Sequence, residues 1–412
     1  MSLQTMEYPS ELLLSFNYIG TLPSSKSLFN RALILKSFSP EISLFGESQA
    51  DDVRLMRAGV DVFERGGDTY DCGAAGTVFR FLSLRVVRRP GKYVFKGTPR
   101  LLSRLSDEHK RALMQLGCEV KWNEDHIVVQ SWGWRPSGDA IHVPAKSSSQ
   151  LGSALLLSAW DLPQSLNLIF PRQMASPGYL DMTIKLVEKF GLKVERHENE
   201  IFVSAHQKIS PTNYKIEPDL SCAFAVSAIA ALFGRADILG LPLKGGVVDS
   251  LQPDSVFIDL LKKMNVKVQL KPSGSVTIEK PEADLTAISV DLNNAPDLFP
   301  VLCVLLSQCE GVSHVKGFAQ VEHKESNRLH KTLELLKRMD VLYELLEDSL
   351  KIIGVGQKLL HENFFYFDPD QDHRMAMAAA LVKKIGYRIE ILNPECVNKS
   401  FPDFWSIAGV SP

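Results

Sequence analysis

Along the chain, short polar clusters repeatedly feed apolar runs that stay apolar on every helical face. The pattern first appears in "TLPSSKSLFNRALIL", where serines precede Leu28, Phe29, Ala32, Leu33 and Leu35. The serines predict a helix N-cap and the run predicts a mostly buried helix. The same grammar returns in "CGAAGTVFRFLSL", "KSSSQLGSALLLSA", "EPDLSCAFAVSAIAALF", "NNAPDLFPVLCVLLS" and "DQDHRMAMAAALVKK". With Ser25, Ala74, Ser148, Asp219, Asp297 and Asp372 as markers, the gaps are 49, 74, 71, 78 and 75 residues. Such regularity predicts six copies of one unit, the first shortened by 25 residues (74 − 49) around "ADDVRLMRAGVDVFERGGDTYD".

The remainder of each unit repeats as well. In "GYLDMTIKLVEKFGLKVERHENEIFVS", Leu180, Ile184, Val187 and Phe190 fall at helical spacing, and "LKVER" and "IFVS" read as strands joined by a polar turn. "HKRALMQLGCEVKWNEDHIVVQ", "FIDLLKKMNVKVQLKPSGSVTIE" and "LHKTLELLKRMDVLYELLEDSLKIIG" follow the same plan. The unit is therefore β-α-β-α-β-β, with one helix buried and one half exposed. Six units give an α/β (α+β) chain of two three-repeat domains, inside-out barrels with helices within and sheets outside. Polar helix N-termini then face a shared cleft, aiming the positive ends of several helix dipoles at one cavity.

Composition narrows the setting. With 412 residues, 45% hydrophobic and 23% charged, the chain has the make-up of a globular protein too long for one core. A formal net charge of −2 supplies no global field toward nucleic acid or a membrane surface. "MSLQTMEYPSELLLSF" has no basic start and too short an apolar run for a signal peptide, and no segment reaches the roughly 18 apolar residues of a membrane span. The six cysteines (Cys72, Cys118, Cys222, Cys303, Cys309, Cys396) include no CxxC, and the histidines no HxH or HExxH, so reduced buried thiols in a cytoplasmic protein without a metal site are expected.

Charge placement is the first sign of chemistry. Lys26 and Arg31 lie in the opening turns of their helix, and Arg374 does the same in "DHRMAMA". Cations there oppose the dipole unless an anion sits between them and the helix end; two solvated side chains are the alternative for the first pair. The cap regions and nearby loops further carry Arg104, Lys324, Arg328 and Lys399, interspersed with Glu217, Asp219, Asp297, Glu325 and Asp372. Asp219, Asp297 and Asp372 also suit plain N-caps, and "VEHKESNR" also suits a solvated mixed-charge face.

These pieces resemble the 5-enolpyruvylshikimate-3-phosphate synthases (3-phosphoshikimate 1-carboxyvinyltransferases) over essentially the whole chain. "LPSSKSLFNRALIL" is similar to their LPGSKSxxNR signature, "GAAGTVFR" to GNAGTxxR and "SSSQLGSALL" to SSQxxxALL. "ADDVR", "SPGYLDMT", "EPDLSCA", "SLQPDS", "APDLFP", "HKESNRL", "DQDHRMAM" and "NKSFPDF" follow in the family's order. The resemblance implies transfer of the enolpyruvyl group of phosphoenolpyruvate to the 5-hydroxyl of shikimate 3-phosphate, on the route to chorismate and the aromatic amino acids. It implies domains of 21–217 and of 1–20 with 218–412, the active site between them, and a monomer without metal, organic cofactor, nucleic-acid or membrane partner. Lys26, Ser27, Arg31, Ser148, Ser149, Gln150, Ser176, Tyr179, Asp297, Gln320 and Lys324 would bind shikimate 3-phosphate. Lys26, Gly76, Arg104, Gln150, Arg328, Arg374 and Lys399 would hold phosphoenolpyruvate. Asp297, Glu325 and Lys26 would move protons.

That chemistry suits the residue types. The hydroxyl loses a proton as it attacks C2, C3 gains one to give a tetrahedral phosphate-bearing intermediate, and elimination reverses the C3 transfer and expels phosphate; two acid–base groups meet the need. Two phosphates of about −1.5 to −2 each and two carboxylates call for several cations. Departures from the family pattern are Ser24 for Gly, Ala74 for Asn, Gln320 for Asn, Glu322 for Arg and Asn327 for Asp. Two rival readings are a non-catalytic binder of phosphorylated metabolites, suggested by the changes from Gln320 to Asn327, and the sister transferase acting on UDP-N-acetylglucosamine. The latter uses a loop cysteine, and "KYVFKGTPRLLSR" has none.

Overall fold

Helices that are apolar all round can only be stable where every face is covered, and this chain covers six of them in two groups of three. The computed structural model describes residues 15–105, 107–136, 138–146, 148–356 and 361–412, without the side chains of Arg104 and of 361–363. The first group is α1 (Lys26–Lys36), α2 (Gly76–Val86) and α3 (Gln150–Leu157), which contact one another. The second is α4 (Leu220–Phe233), α5 (Phe299–Ser307) and α6 (His373–Ile385), again in mutual contact. In α4 every residue from Leu220 to Leu232 is buried. Two separate hydrophobic cores result, one drawn from residues 28–216 and one from 220–408 together with Phe16 and Leu22.

The second helix of each unit is amphipathic instead. In Asp51–Glu64 the buried positions are Asp52, Val53, Met56, Gly59, Val60 and Phe63, a single stripe. Sheets wrap the outside. Each complete unit gives a four-stranded sheet whose first two strands are parallel and whose hairpin adds antiparallel strands; in three of the four a buried helix joins the parallel pair. Thr69–Asp71, Pro90–Lys96, His126–Trp132 and Glu119–Trp122 lie in that order, and Ser289–Asp291, Glu310–Lys316, Ser349–Val355 and Leu342–Leu345 repeat it.

Two features depart from six equal units. The first unit lacks its hairpin, as its spacing predicts, and the sixth ends on two strands as well: His361–Phe367 pairs in parallel with Tyr387–Ile391. The chain then forms a 3₁₀ turn (Pro394–Lys399) and a short helix (Phe404–Ala408) in place of a hairpin. The other feature is an exchange of strands. Phe16–Thr21 precedes α1 but pairs in parallel with Gly234–Leu239, whereas Asn213–Lys215 precedes α4 but pairs with Ser43–Phe45. The two crossing segments run side by side, with Ser25 N donating to Glu217 O (2.7 Å) and Asp219 N to Pro23 O (2.9 Å).

All of this aligns the helix N-termini toward the junction of the cores. At the far end of the first core, a run of arginines answers the carbonyl ends of its helices. Arg85 donates to Ser37 O, Arg88 to Ser158 O and Trp160 O, and Arg89 to Phe63 O. Cations at C-termini complement the dipoles whose positive ends reach the cleft.

Candidate active site

At the junction, the caps divide by chemistry. Asp219 and Asp372 are N-caps, accepting from Cys222 N (3.0 Å) and Arg374 N (2.9 Å), and Ser25 accepts from Leu28 N (3.4 Å). Asp297 is not a cap. It lies in the 3₁₀ turn Pro296–Leu298, and its carboxylate turns into the cleft. The N-caps of α2 and α3, Ala75 and Ser149, offer no side-chain bond to the following N–H groups, which leaves those two helix ends as donors for an anion.

One guanidinium organises the acids. Arg328 begins the helix Arg328–Arg338, whose N-cap Asn327 accepts from His330 N (3.0 Å). Though only 1% exposed, it holds Asp372 through Nε (2.8 Å) and Nη2 (3.2 Å), Asp297 through Nη1 (2.8 Å) and Glu325 through Nη2 (2.9 Å). Arg374, in the first turn of α6, places Nη2 3.8 Å from both Asp219 and Asp297 and donates to Ser221 Oγ. Lys324 Nζ is 3.6 Å from Asp297 Oδ1.

Lysines tie this cluster to the first core. Lys26, the first residue of α1, puts Nζ 3.1 Å from Asp52 Oδ2. Lys399 reaches across, with Nζ 3.4 Å from Glu325 Oε1, 4.0 Å from Asp52 Oδ1 and 3.0 Å from the carbonyl of Ala74. Arg100 Nε adds a bond to Glu325 O (3.2 Å). Between them lies a cavity of about 50 Å³ lined by Lys26, Ser27, Arg31, Thr77, Ser148, Ser149, Gln150, Ser176, Tyr179, Asp297, Lys324 and Glu325. Ser176 holds this wall in a left-handed conformation (φ 52°), a geometry that costs a non-glycine residue about 1–3 kcal/mol and clusters at functional sites.

Arg31 stands apart from the other cations. Its partners are all neutral oxygens: Thr183 Oγ1 (2.7 Å), Ser27 O (2.9 Å), Tyr179 O (3.4 Å) and Ser153 Oγ (3.5 Å). Burial therefore pushes the guanidinium down to about 9, and an anion brought beside it would meet a cation with no carboxylate partner among the described residues. Elsewhere carboxylates win. Burial opposes charge on Asp297, yet Lys324, Arg328 and Arg374 hold it well below the usual carboxylate range. Burial likewise opposes charge on Lys26, but Asp52 and Glu325 keep it above its ordinary value. Asp254 goes the other way: burial, then the nearby charge of Asp297, raises it to about 7 while Tyr179 Oη donates to it at 3.1 Å. His373 is kept neutral by burial and by Lys26 and Arg374.

The arrangement sets two carboxylates, Asp297 and Glu325, on a small cavity walled by cations and serine hydroxyls, groups able to move protons beside bound anions. A family model described as EPSP synthase (3-phosphoshikimate 1-carboxyvinyltransferase) matches residues 34–407. The chain belongs to the EPSP synthase family. A 3-phosphoshikimate 1-carboxyvinyltransferase from Methanoculleus marisnigri is 32% identical over 341 residues, 82% of this chain and 78% of the relative. Another from Clostridium novyi is 29% identical over 428 residues, 96% and 94% of the two chains. Among solved structures, an EPSP synthase from Acinetobacter baumannii matches with a TM-score of 0.72 at 20% identity, covering 96% of this chain and 95% of that one, a likeness of fold.

The residues expected from the EPSP synthase pattern fall into three groups in space. Lys26, Ser27, Arg31, Ser148, Ser149, Gln150, Ser176, Tyr179, Asp297, Lys324 and Glu325 share the small cavity. Arg328, Arg374 and Lys399 stand behind its acids, and Gly76 opens α2, where a Cβ would come within 2.6 Å of Arg80 Nη1. Gln320 is separate: it lines a neighbouring cavity and donates to Gly317 O (3.1 Å) and Asn293 O (3.3 Å). Arg104 closes the helix Pro99–Arg104, and its side chain lies outside the described residues.

The departures from the EPSP synthase pattern are absorbed locally. Ala74 offers its carbonyl to Lys399, Asn327 caps its helix as an aspartate would, and Ser24 fits against Gly46, where a Cβ would come within 2.5 Å of Ser24 Oγ. Sequence reasoning assigned no role to Asp52 and Asp254, each 3% exposed. Their only signal was the motifs "ADDVR" and "SLQPDS". Asp219, Asp297, Glu325 and Asp372 are legible in the sequence as acids among the cations, but not which cation each one meets. Among the described residues Lys26, Lys324, Arg328, Arg374 and Lys399 face Asp52, Asp219, Asp297, Glu325 and Asp372, with Arg31 and Asp254 adding one more of each kind on neutral partners. Without ligands the site is near electrical balance rather than strongly positive.

Proposed function

We propose that the cavity between the cores is where this member of the EPSP synthase family transfers the enolpyruvyl group of phosphoenolpyruvate to the 5-hydroxyl of shikimate 3-phosphate. The observation that carries the residue assignment is the pair of carboxylates, Asp297 and Glu325, held on two nitrogens of one buried arginine at 2.8 and 2.9 Å with Lys26 across the cavity. Shikimate 3-phosphate lies along Ser27, Arg31, Ser148, Ser149, Ser176, Tyr179 and Lys324, its anionic groups meeting Arg31 and the open end of α3. Phosphoenolpyruvate is held by Lys26, Gly76, Arg104, Gln150, Arg328, Arg374 and Lys399.

Asp297 takes the hydroxyl proton as oxygen attacks C2, and Glu325 with Lys26 protonates C3. Reversal of the C3 transfer then expels phosphate from the tetrahedral intermediate. Ligand charge completes the tuning: phosphate near Lys324 and Arg374 weakens their hold on Asp297 and raises its basicity. The two cores act as the domains expected at 21–217 and at 1–20 with 218–412, residues 1–14 lying outside the described residues, and their separation admits substrates too large for a 50 Å³ cavity. Six buried free thiols support a reducing, cytoplasmic setting, and the chain acts as a monomer. A coupled assay tests the reading. Phosphate release requires both substrates together and matches the enolpyruvyl product one for one; release from phosphoenolpyruvate alone, or none from the pair, contradicts it.

A further inference from the structure

A second cavity, about 850 Å³, lies beside the first and is walled by both cores. Its volume is within the range of small-molecule sites, roughly 300–1,000 Å³. Its floor is apolar, with Phe170, Leu180 and Ile201 buried beneath it. Its rim carries Lys146, Arg172 and Arg196 from the first core and His323 from the second. Arg196 is bonded to Asp181 (2.6 Å), whereas Lys146 and Arg172 have no carboxylate partner among the described residues. Among the described residues, Glu198 is the one acid on its wall. An apolar floor under unpaired cations matches an anion that carries a flat apolar body.

The partition between the two cavities is one strained residue thick. Ala175 and Pro177 line the larger cavity, and Ser176 between them lines the smaller, with its backbone in the left-handed region. On the opposite wall Gln320 and Asn293 line the larger cavity, and Gln320 Nε2 donates to Asn293 O and Gly317 O. A molecule seated there touches both cores at once and presses on the loop that presents Ser176.

We propose that this cavity is a second ligand site, taking a small phosphate- or carboxylate-bearing molecule with an apolar ring. By bridging the cores it favours the arrangement in which Ser148, Ser149 and Ser176 approach Asp297 and Lys324. Occupancy therefore tightens shikimate 3-phosphate binding, and by linkage shikimate 3-phosphate tightens the second ligand by the same factor. The site itself does not depend on the proposed reaction, but the sign of the coupling rests on shikimate 3-phosphate binding in the smaller cavity.

Phenyl phosphate is the probe. Titration calorimetry of the full chain, with shikimate 3-phosphate already saturating, is expected to show one further phenyl phosphate site. Arg172→Gln combined with Lys146→Gln is expected to weaken it at least tenfold while phosphate release from the two substrates stays within twofold of the parent. In the reciprocal titration, millimolar phenyl phosphate is expected to tighten shikimate 3-phosphate at least threefold in the parent and not in the double variant. Phenyl phosphate that competes with shikimate 3-phosphate, or that binds the double variant as well as the parent, overturns the proposal. Loss of phosphate release in the parent refutes the enzymatic reading instead, and leaves the first titration as the judge of this site.

Discussion

Replacing Arg328 probes the electrostatic centre directly. Its guanidinium, 1% exposed, is bonded to three carboxylates of which Asp372 is fully buried. Arg328→Met keeps most of the volume and leaves Asp297, Glu325 and Asp372 without their common partner. Breaking a buried ion pair by removing one member costs about 3–5 kcal/mol. Arg328→Lys restores a charge but not the fork, so it should recover only part of that. The sign with pH follows from Asp297. Its carboxyl is held below the unfolded value of about 3.9, so its stabilising share is present above that pH and is lost as pH falls through the folded value. In the methionine variant Asp297 keeps Lys324 and Arg374 and Glu325 keeps Lys399, but Asp372 loses its arginine; a buried carboxylate without a counter-charge costs least in acid and more as pH rises. The assay is denaturant unfolding of parent and both variants at pH 7 and pH 5. A deficit in Arg328→Met of about 3–5 kcal/mol at pH 7, shrinking by at least ~1 kcal/mol at pH 5, is expected. A deficit equal at both pH values would mean that lost packing, not charge, explains it.

Other perturbations separate further parts of the account. Asp254, raised to about 7 mainly by burial, adds stability that is lost as pH rises through about 7. Asp254→Asn should therefore gain on the parent in thermal midpoint between pH 5.5 and pH 8.5, and parallel curves would contradict it. Arg31→Gln should mainly weaken shikimate 3-phosphate and Arg374→Gln mainly phosphoenolpyruvate, each by about ten- to a hundredfold, from roughly 1.5–3 kcal/mol per charge-assisted bond; equal losses for both substrates would undo that division. Arg88→Met removes donors from Ser158 O and Trp160 O and should cost about 1–3 kcal/mol in unfolding with phosphate release at 25 °C unchanged.

The repeat was legible because burial on all sides leaves a compositional mark: from Leu220 to Leu232 all residues of α4 but Ser221 and Ser227 are apolar, and the whole stretch is buried. Cap chemistry was legible as a set of alternatives, which divide only by the partners that the fold brings to each acid. Asp219 and Asp372 bond to their own helices, while Asp297, alike in sequence, sits in a 3₁₀ turn and bonds to Arg328. The run "VEHKESNR" splits in the same way, with Glu322, His323 and Asn327 exposed and Ser326 and Arg328 buried. What stayed hidden depends on distant partners. An acid at a helix start, such as Asp52, reads as a favourable dipole contact, and nothing local says that Lys26 and Lys399 converge on it. The strand exchange of Phe16–Thr21 and Asn213–Lys215 is hidden for the same reason, since short apolar strands do not name their neighbours. The missing hairpin of the sixth unit could have been read. "NPECVNKSFPDFW" has the turn residues and lacks the alternation that a strand pair needs.

The most direct test of the central claim is phosphate release by Asp297→Asn and Glu325→Gln beside their shikimate 3-phosphate affinities. Both substitutions keep shape and remove proton exchange near neutral pH, and loss of a general acid or base slows turnover by about 10²–10⁴-fold. Release should fall at least a hundredfold in each, with affinity within about tenfold of the parent, a difference of ~1.4 kcal/mol. Normal turnover by Glu325→Gln would return "VEHKESNR" to a solvated face, and normal turnover by Asp297→Asn would remove the proposed base.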